Sequence, residues 1–219
     1  MKHKLEVDSI MLDFGLRQIL TNVYLKCETG SISGLLGKNG EGKTCLMNII
    51  YGSLPASSKS VRFDGVSKHK AFKDNELLTY LPQFSFTPPF LSLRRIFADF
   101  NLLYTEFENH FPEFIKRENT IIKNLSGGER RLIEVYVIIK YKSQFTMLDE
   151  PFSHLMPLQI EKIIEILKTE KMHKGFLITD HLYQNVLAIC DDIYLLAEGK
   201  INLAKSVDDI KALKYIPFN

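Results

Sequence analysis

The stretch GKNGEGKT, Gly37 to Thr44, carries the first recognisable chemistry in this chain. Gly37, Gly42, Lys43 and Thr44 fit the spacing G-x-x-x-x-G-K-[ST] of a loop that cradles phosphates. Glycines let the backbone take positive φ, so successive N–H groups turn inward toward phosphate oxygens. A helix that follows such a loop adds the positive end of its dipole. Lys43 would supply a mobile cation for the β- and γ-phosphates, and Thr44 a hydroxyl for Mg²⁺. A tight Gly-rich loop with a solvated lysine is the bland alternative. It accounts less well for four fixed positions flanked by an apolar strand and an apolar helix. Cys45, next along, reads as a small buried side chain rather than a redox group.

A second stretch, FTMLDEPFSHLM from Phe145 to Met156, is a mostly apolar strand ending in Asp149 and Glu150. In open α/β sheets such a strand delivers its acid to the ligand-binding edge. Asp149 would hold Mg²⁺ opposite Thr44, directly or through water. Glu150 would orient and deprotonate a water for attack on the γ-phosphate. By itself a pair of acids at a strand end could equally face solvent; the phosphate loop upstream favours the chemical reading.

LSGGER, Leu125 to Arg130, narrows the reading. Ser126 followed three residues later by Glu129 fits a capping box for the helix that follows. That leaves Gly127 and Gly128 unexplained, two residues that would expose N–H groups at a helix N-terminus and so favour an anion. The segment resembles the signature motif of the ATP-binding cassette (ABC) family. GKNGEGKT resembles that family's Walker A loop and FTMLDE its Walker B strand, in the family's order over nearly the whole chain.

The resemblance implies nucleotide-binding roles for Phe14, stacked on adenine, and for Gly37, Lys38, Asn39, Gly40, Glu41, Gly42, Lys43, Thr44 and Cys45. It adds Gln83 in YLPQF as a metal and water contact and His181 in LITDH as a γ-phosphate switch. Lys43, Glu150 and His181 are then the catalytic set, and Thr44, Gln83 and Asp149 surround Mg²⁺. Ser126, Gly127, Gly128 and Glu129 would face the ATP of a second subunit, so the family's head-to-tail dimer is expected, with a homodimer favoured. The cofactors implied are ATP and Mg²⁺.

Three departures from the family pattern stand out. Lys38 replaces a common proline and is expected to point to solvent. Glu41 replaces a small residue and brings a carboxylate near the phosphates unless it faces away. His154, Leu155 and Met156 stand where the family reads small residue, Leu, Asp. Met156 removes charge-assisted contacts across the dimer. Reduced coupling or slower turnover is expected, rather than loss of hydrolysis.

Around these residues the sequence alternates element types. KLEVDSIMLDF and QILTNVYLKCE alternate as strands do. KTCLMNIIYG reads as a helix with Leu46, Ile49 and Ile50 on one face. FTMLDE, LQIEKIIEILKTEK, GFLITD and LYQNVLAIC follow as strand, helix, strand, helix. DIYLLAEGKINLAK reads as two strands about Glu198-Gly199, then a short helix to Lys214. Strands alternating with helices imply an α/β fold with a mainly parallel sheet covered on both faces. With the resemblance this becomes a P-loop NTPase core, RecA-like, over 1–83 and 142–219, with an antiparallel β subdomain. An α-helical signature subdomain is inserted at 84–141, where aromatics and Pro88, Pro89 and Pro112 suggest helices joined by turns. The aromatics from Phe84 to Tyr104 read as that subdomain's core.

At 219 residues the chain suits one large domain or one domain with an inserted subdomain. Hydrophobic residues make up 45% and charged residues 25%, an ordinary globular balance. Lys plus Arg is 28 against 26 for Asp plus Glu, a net charge of +2. No basic stripe is present, so no nucleic-acid partner is expected; SKHKAFK reads as a solvated loop. The three cysteines, Cys27, Cys45 and Cys190, lack metal or redox spacing and suit a reducing compartment. MKHKLEVDSI has no apolar core of a signal peptide, and no apolar run approaches the ~18 residues of a membrane span.

The function expected is an ATP-hydrolysing subunit of an ABC transporter, cytoplasmic and peripheral on the membrane's cytoplasmic face, with a separate membrane-spanning partner. The alternative is a nucleotide-dependent assembly or regulatory cassette with little hydrolysis, which Met156 motivates.

Overall fold

A computed structural model describes residues 2–204 and 209. The helix expected to run on to Lys214 lies outside the described residues, apart from Asp209.

β1 (Lys4–Phe14) and β2 (Arg17–Glu28) form the long antiparallel hairpin their alternation predicts, with Phe14 paired to Arg17 at the turn. Their inward positions, among them Leu5, Val7, Leu20, Val23 and Leu25, are buried. β4 (Ser58–Phe63) and β5 (Val66–Ser67) complete a four-stranded sheet in the order β2-β1-β4-β5.

A six-stranded sheet is the second layer, ordered β10-β9-β3-β8-β7-β6. Its members are β3 (Ile32–Leu36), β6 (Leu78–Leu81), β7 (Phe145–Asp149), β8 (Gly175–Thr179), β9 (Asp192–Ala197) and β10 (Lys200–Ala204). All neighbours are parallel except β9 and β10, which form a hairpin across Glu198 and Gly199. β3, β7 and β8 are buried at every position, as strands covered on both faces must be. Parallel pairing brings the C-terminal ends of β3, β7, β8 and β6 to one edge, where the candidate residues cluster. The sheet is therefore mainly parallel, as read from the sequence.

α1 (Lys43–Tyr51) leaves β3 through the Gly-rich loop and buries Leu46, Ile49 and Ile50 completely. α5 (Pro157–Glu170) and α6 (Tyr183–Ile189) cover the sheet between successive strands. Between β6 and β7 run α2 (Leu93–Asp99), α3 (Tyr104–His110) and the long α4 (Gly127–Lys140). Ser92 caps α2, its hydroxyl accepting from the Arg95 N–H at 3.3 Å. The aromatics of this segment pack on one another. The Phe107 ring lies 4.9 to 5.1 Å from those of Tyr136, Phe114, Phe111 and Phe97. Truncating such a buried ring costs about 3–5 kcal/mol, so this cluster anchors the segment onto α4. Phe84, Phe90 and Leu103 remain exposed.

Ser67 to Lys73 is not uniformly solvated: Ala71 is buried in a short 3-10 turn, while Lys68 pairs with Asp74 at 3.4 Å.

Candidate functional site

A cavity of about 610 Å³ opens at the C-terminal edge of the parallel strands. Asn39, Gly40, Gly42, Lys43, Thr44 and Cys45 of the loop line it. Phe14, half exposed, lines it too, with Gln83, Glu150 and His181. The phosphate loop therefore meets a strand-end acid, a loop glutamine and a histidine drawn from three other elements. Arg17 and Ile19 also line it. The sequence offered one signal for Arg17: a two-residue turn after Phe14 brings it back beside that ring.

Loop geometry explains the local sequence. Gly42 has φ 102, and a Cβ there would lie 2.9 Å from Ile19 Cγ2, so a side chain is excluded on both counts. Lys43 is buried, and its Nζ donates to the carbonyls of Gly37 at 2.7 Å and Lys38 at 3.1 Å. Two of its three donors are held by the loop, leaving one for a phosphate oxygen. Burial pushes the Lys43 ammonium below its ordinary pKa; Glu150 and Asp149 oppose the shift.

Asp149 ends β7 fully buried and accepts from Tyr80 Oη at 3.2 Å. Burial raises its pKa, against hydrogen bonds from Thr44 and Tyr80. Among the described residues no group of three or more His, Cys, Asp or Glu could hold a metal alone. The adjacent Thr44 hydroxyl and Asp149 carboxylate are hard oxygen donors. Together they suit Mg²⁺, which takes one or two carboxylates and completes its shell with water and substrate phosphates. Gln83 reaches the same cavity.

Glu150 occupies the left-handed region, φ 51, with its N–H bonded to Thr179 O at 2.7 Å. Its Oε2 lies 3.7 Å from His181 Nδ1, and Ser153 Oγ donates to it at 3.3 Å. Asp180, wholly buried, accepts from the N–H groups of Phe152 at 2.9 Å and Leu182 at 2.8 Å. It thereby fixes the loops after both strand ends. Burial raises its pKa.

Ser126, Gly127, Gly128 and Glu129 do not line this cavity. Ser126 and Glu129 form the reciprocal capping box: Ser126 N–H donates to Glu129 Oε2 at 2.8 Å, and Glu129 N–H to Ser126 Oγ at 3.2 Å. Arg117 braces Glu129 at 2.7 Å. Gly128 has a packing reason as well, because a Cβ there would lie 2.6 Å from the His154 carbonyl. A Cβ added at Gly127 would meet nothing within 4 Å among the described residues.

The departures also find places. Lys38 is exposed, as expected. Glu41 is not among the residues lining the cavity, and its Oε2 accepts the Glu198 N–H in the β9–β10 turn at 2.9 Å, although its charge still acts on Lys43. His154 takes φ 66, and Met156 is the exposed N-cap residue of α5, presenting a thioether where a carboxylate would cap that helix.

Two buried charges were not singled out from the sequence. Arg131 and Glu134, on α4, bond to main-chain groups around Pro82 to Thr87 and around Asp149 and Glu150.

A mainly parallel sheet, a Gly-rich loop opening into a helix and a buried acid on a nearby strand define a phosphate-loop nucleotide-binding protein. The sequence pattern of the ABC transporter family matches residues 20–153, more than half of the chain, and the chain belongs to that family. Among curated relatives, the galactose/methyl galactoside import ATP-binding protein MglA of Treponema denticola is 25% identical over 93% of this chain and 44% of its own length. The ribose import ATP-binding protein RbsA of Oceanobacillus iheyensis is 28% identical, over 90% and 43%. The chain thus spans less than half the length of these two. The lipopolysaccharide export system ATP-binding protein LptB of Escherichia coli K12 is 29% identical over 84% of this chain and 83% of its own. The fold matches an ATP-binding subunit of an ABC transporter at TM-score 0.79 and 21% identity, covering 96% of this chain and 93% of that one. It matches a bacterial Atm1-family exporter with ATP bound at TM-score 0.84 and 16% identity, covering 96% and 40%.

Among the described residues no helix is long and apolar enough to cross a membrane.

Proposed function

We propose that the chain is an ATP-binding and ATP-hydrolysing subunit that powers a transporter through nucleotide-driven dimer closure. The convergence of Lys43, Thr44, Asp149, Glu150, Gln83 and His181 on one edge carries the reading. Similarity to import and export ATP-binding proteins supports it.

Phe14 stacks on the adenine, and the loop from Gly37 to Cys45 wraps the phosphates. Lys43 keeps its two carbonyl tethers and turns its third donor to the γ-phosphate. Thr44 and Asp149, with Gln83, hold Mg²⁺, which when bound neutralises charge on the β- and γ-phosphate oxygens. Glu150 takes a proton from water as the oxygen attacks the γ-phosphorus. The bond from that phosphorus to the bridging oxygen breaks, leaving ADP and phosphate. His181 steadies the γ-phosphate from the Glu150 side.

Ser126 to Glu129 are outside the cavity, and Gly127 is open. This arrangement supports a role in trans, with the signature end of one chain covering the ATP of a second copy. Residues 84–141 act as the helical unit that carries this end, and 1–83 with 142–219 as the core that holds nucleotide. The complex docks on the cytoplasmic face of a separate membrane-spanning subunit.

The missing carboxylate at Met156 favours one rival, a regulatory cassette that binds nucleotide and scarcely hydrolyses it. Purified protein separates the two. Lys43→Ala should lose nucleotide binding, and Glu150→Gln should keep binding and lose turnover. Turnover by the wild type no faster than that of Glu150→Gln leaves the regulatory reading in its place.

A further inference from the structure

Gln83 is bracketed by two anchors on a single turn of α4. Just before it, the Pro82 carbonyl accepts from Arg131 Nη1 at 2.8 Å. Just after it, Glu134 Oε1 accepts from the N–H groups of Phe86 and Thr87, both at 3.1 Å. The same oxygen accepts from the hydroxyls of Ser85 and Thr87, both at 2.6 Å. Arg131 Nη2 meanwhile donates to the carbonyls of Asp149 at 2.6 Å and Glu150 at 3.0 Å. The two side chains are 6% and 1% exposed, and their closest charged atoms are 4.0 Å apart.

A buried ion pair is a poor means of stabilising a fold, since apolar residues of similar volume often serve as well or better. Here the charges are spent mainly on main-chain groups of the segments that carry Gln83, Asp149 and Glu150. Glu150 needs such support, because a non-glycine residue in the left-handed region is strained unless its surroundings fix it. The same helix begins at Gly127, one turn before Arg131.

We propose that Arg131 and Glu134 are a positioning pair that links the signature end of α4 to Gln83 and Glu150 of the same chain. Engagement of Ser126 to Glu129 by a partner's nucleotide would then align the chain's own hydrolytic groups. Neither residue touches substrate; each acts through the backbone it holds. α4 moves as a rod, Arg131 carries the carbonyls of residues 82, 149 and 150 with it, and Glu134 carries 85–87. The inference rests on the ATPase reading above.

The test uses the full chain with Arg131→Lys, Glu134→Gln and the double variant. Lysine keeps the charge but loses the planar fork that reaches three carbonyls. Glutamine keeps an acceptor oxygen but loses the charge that attracts four donors. Each single change is expected to lower kcat about tenfold or more, with KM and MgATP affinity within about twofold. The double variant should fall little below the worse single one, because both act on the same segments. An unchanged kcat overturns the proposal, as does a loss shared equally by affinity, kcat and melting temperature.

Amide hydrogen exchange supplies a readout that needs no turnover. MgATP should protect residues 83–87 and 149–150 in the wild type. In Glu134→Gln protection of 83–87 should be lost while that of Lys43–Tyr51 persists. If the wild type hydrolyses no faster than Glu150→Gln, the ATPase reading fails, and exchange still decides the linkage. Protection of 83–87 that survives in both single variants overturns it.

Discussion

The carbonyl of His154 occupies the space a side chain on Gly128 would need, 2.6 Å from the position of its Cβ. The signature segment and the loop after β7 therefore pack backbone to backbone within one chain. Gly127, its neighbour, faces open space.

Two adjacent alanine substitutions should consequently differ. Gly128→Ala must displace the His154 loop and is expected to cost about 1–3 kcal/mol, as overpacking does. Gly127→Ala should leave the melting temperature of the isolated chain unchanged or slightly higher, since alanine is the better helix former. Thermal melts followed by circular dichroism read the difference. Equal losses for both would contradict the packing assigned to Gly128.

Met156 separates a stability effect from a coupling effect. As the N-cap of α5 it donates its N–H to Gln159 Oε1 at 3.2 Å and accepts the Ile160 N–H on its carbonyl at 3.0 Å, and it has no side-chain oxygen to cap the helix. Met156→Asp should add a side-chain cap worth about 1 kcal/mol. If the absent carboxylate weakens communication between two sites, the same change should also lengthen the lifetime of the ATP-bound dimer or raise turnover. A higher melting point with unchanged rate and lifetime would confine Met156 to capping.

Glu41 is expected to matter little for nucleotide. Its carboxylate is spent on the Glu198 N–H, so Glu41→Ala should lower stability by about 1 kcal/mol, the worth of a hydrogen bond to a charged group at a partly exposed site. ATP affinity should stay within about twofold, which is under half a kcal/mol. A large gain in affinity would show instead that the carboxylate repels phosphate.

The loop chemistry and the acid-bearing strand end were legible because they are local. A glycine spacing, an apolar strand ending in acid and Ser126 three residues before Glu129 each declare themselves within a few positions. Arg131 and Glu134 did not, because their partners are main-chain groups that bear no sequence mark. On a helix read from the sequence they resemble any exposed i, i+3 charge pair. The Glu41–Glu198 bond and the Gly128–His154 contact join distant segments, and only the folded chain reveals them. Phe97 and Tyr104 were readable as core because a Pro-broken aromatic stretch has few other ways to hide its rings, whereas Phe84 and Phe90 of the same stretch stay exposed.

Lys174 gives a pH signature. It is 3% exposed, its Nζ donates to Ile139 O at 2.8 Å and to Tyr141 O, and burial pushes its pKa down from 10.5 to about 8. Below pH 8 the folded and unfolded chains both carry the proton, and the native state bears the full cost of burying it. Between about pH 8 and 10.5 the unfolded chain binds more protons, so this group makes stability rise with pH. The total is on the order of 3 kcal/mol. Lys174→Met should remove that rise in urea melts compared across the interval, whatever constant offset the lost hydrogen bonds introduce. A parallel pH dependence in both proteins would refute it.

Single-turnover phosphate release, with protein in excess over MgATP, isolates the chemical step at the Lys43–Glu150 cavity. The wild type should release phosphate in a phase that Glu150→Gln slows by about 10²–10⁴-fold, the usual worth of a positioned base, while still binding ATP. Identical release by the two proteins would contradict hydrolysis at this site.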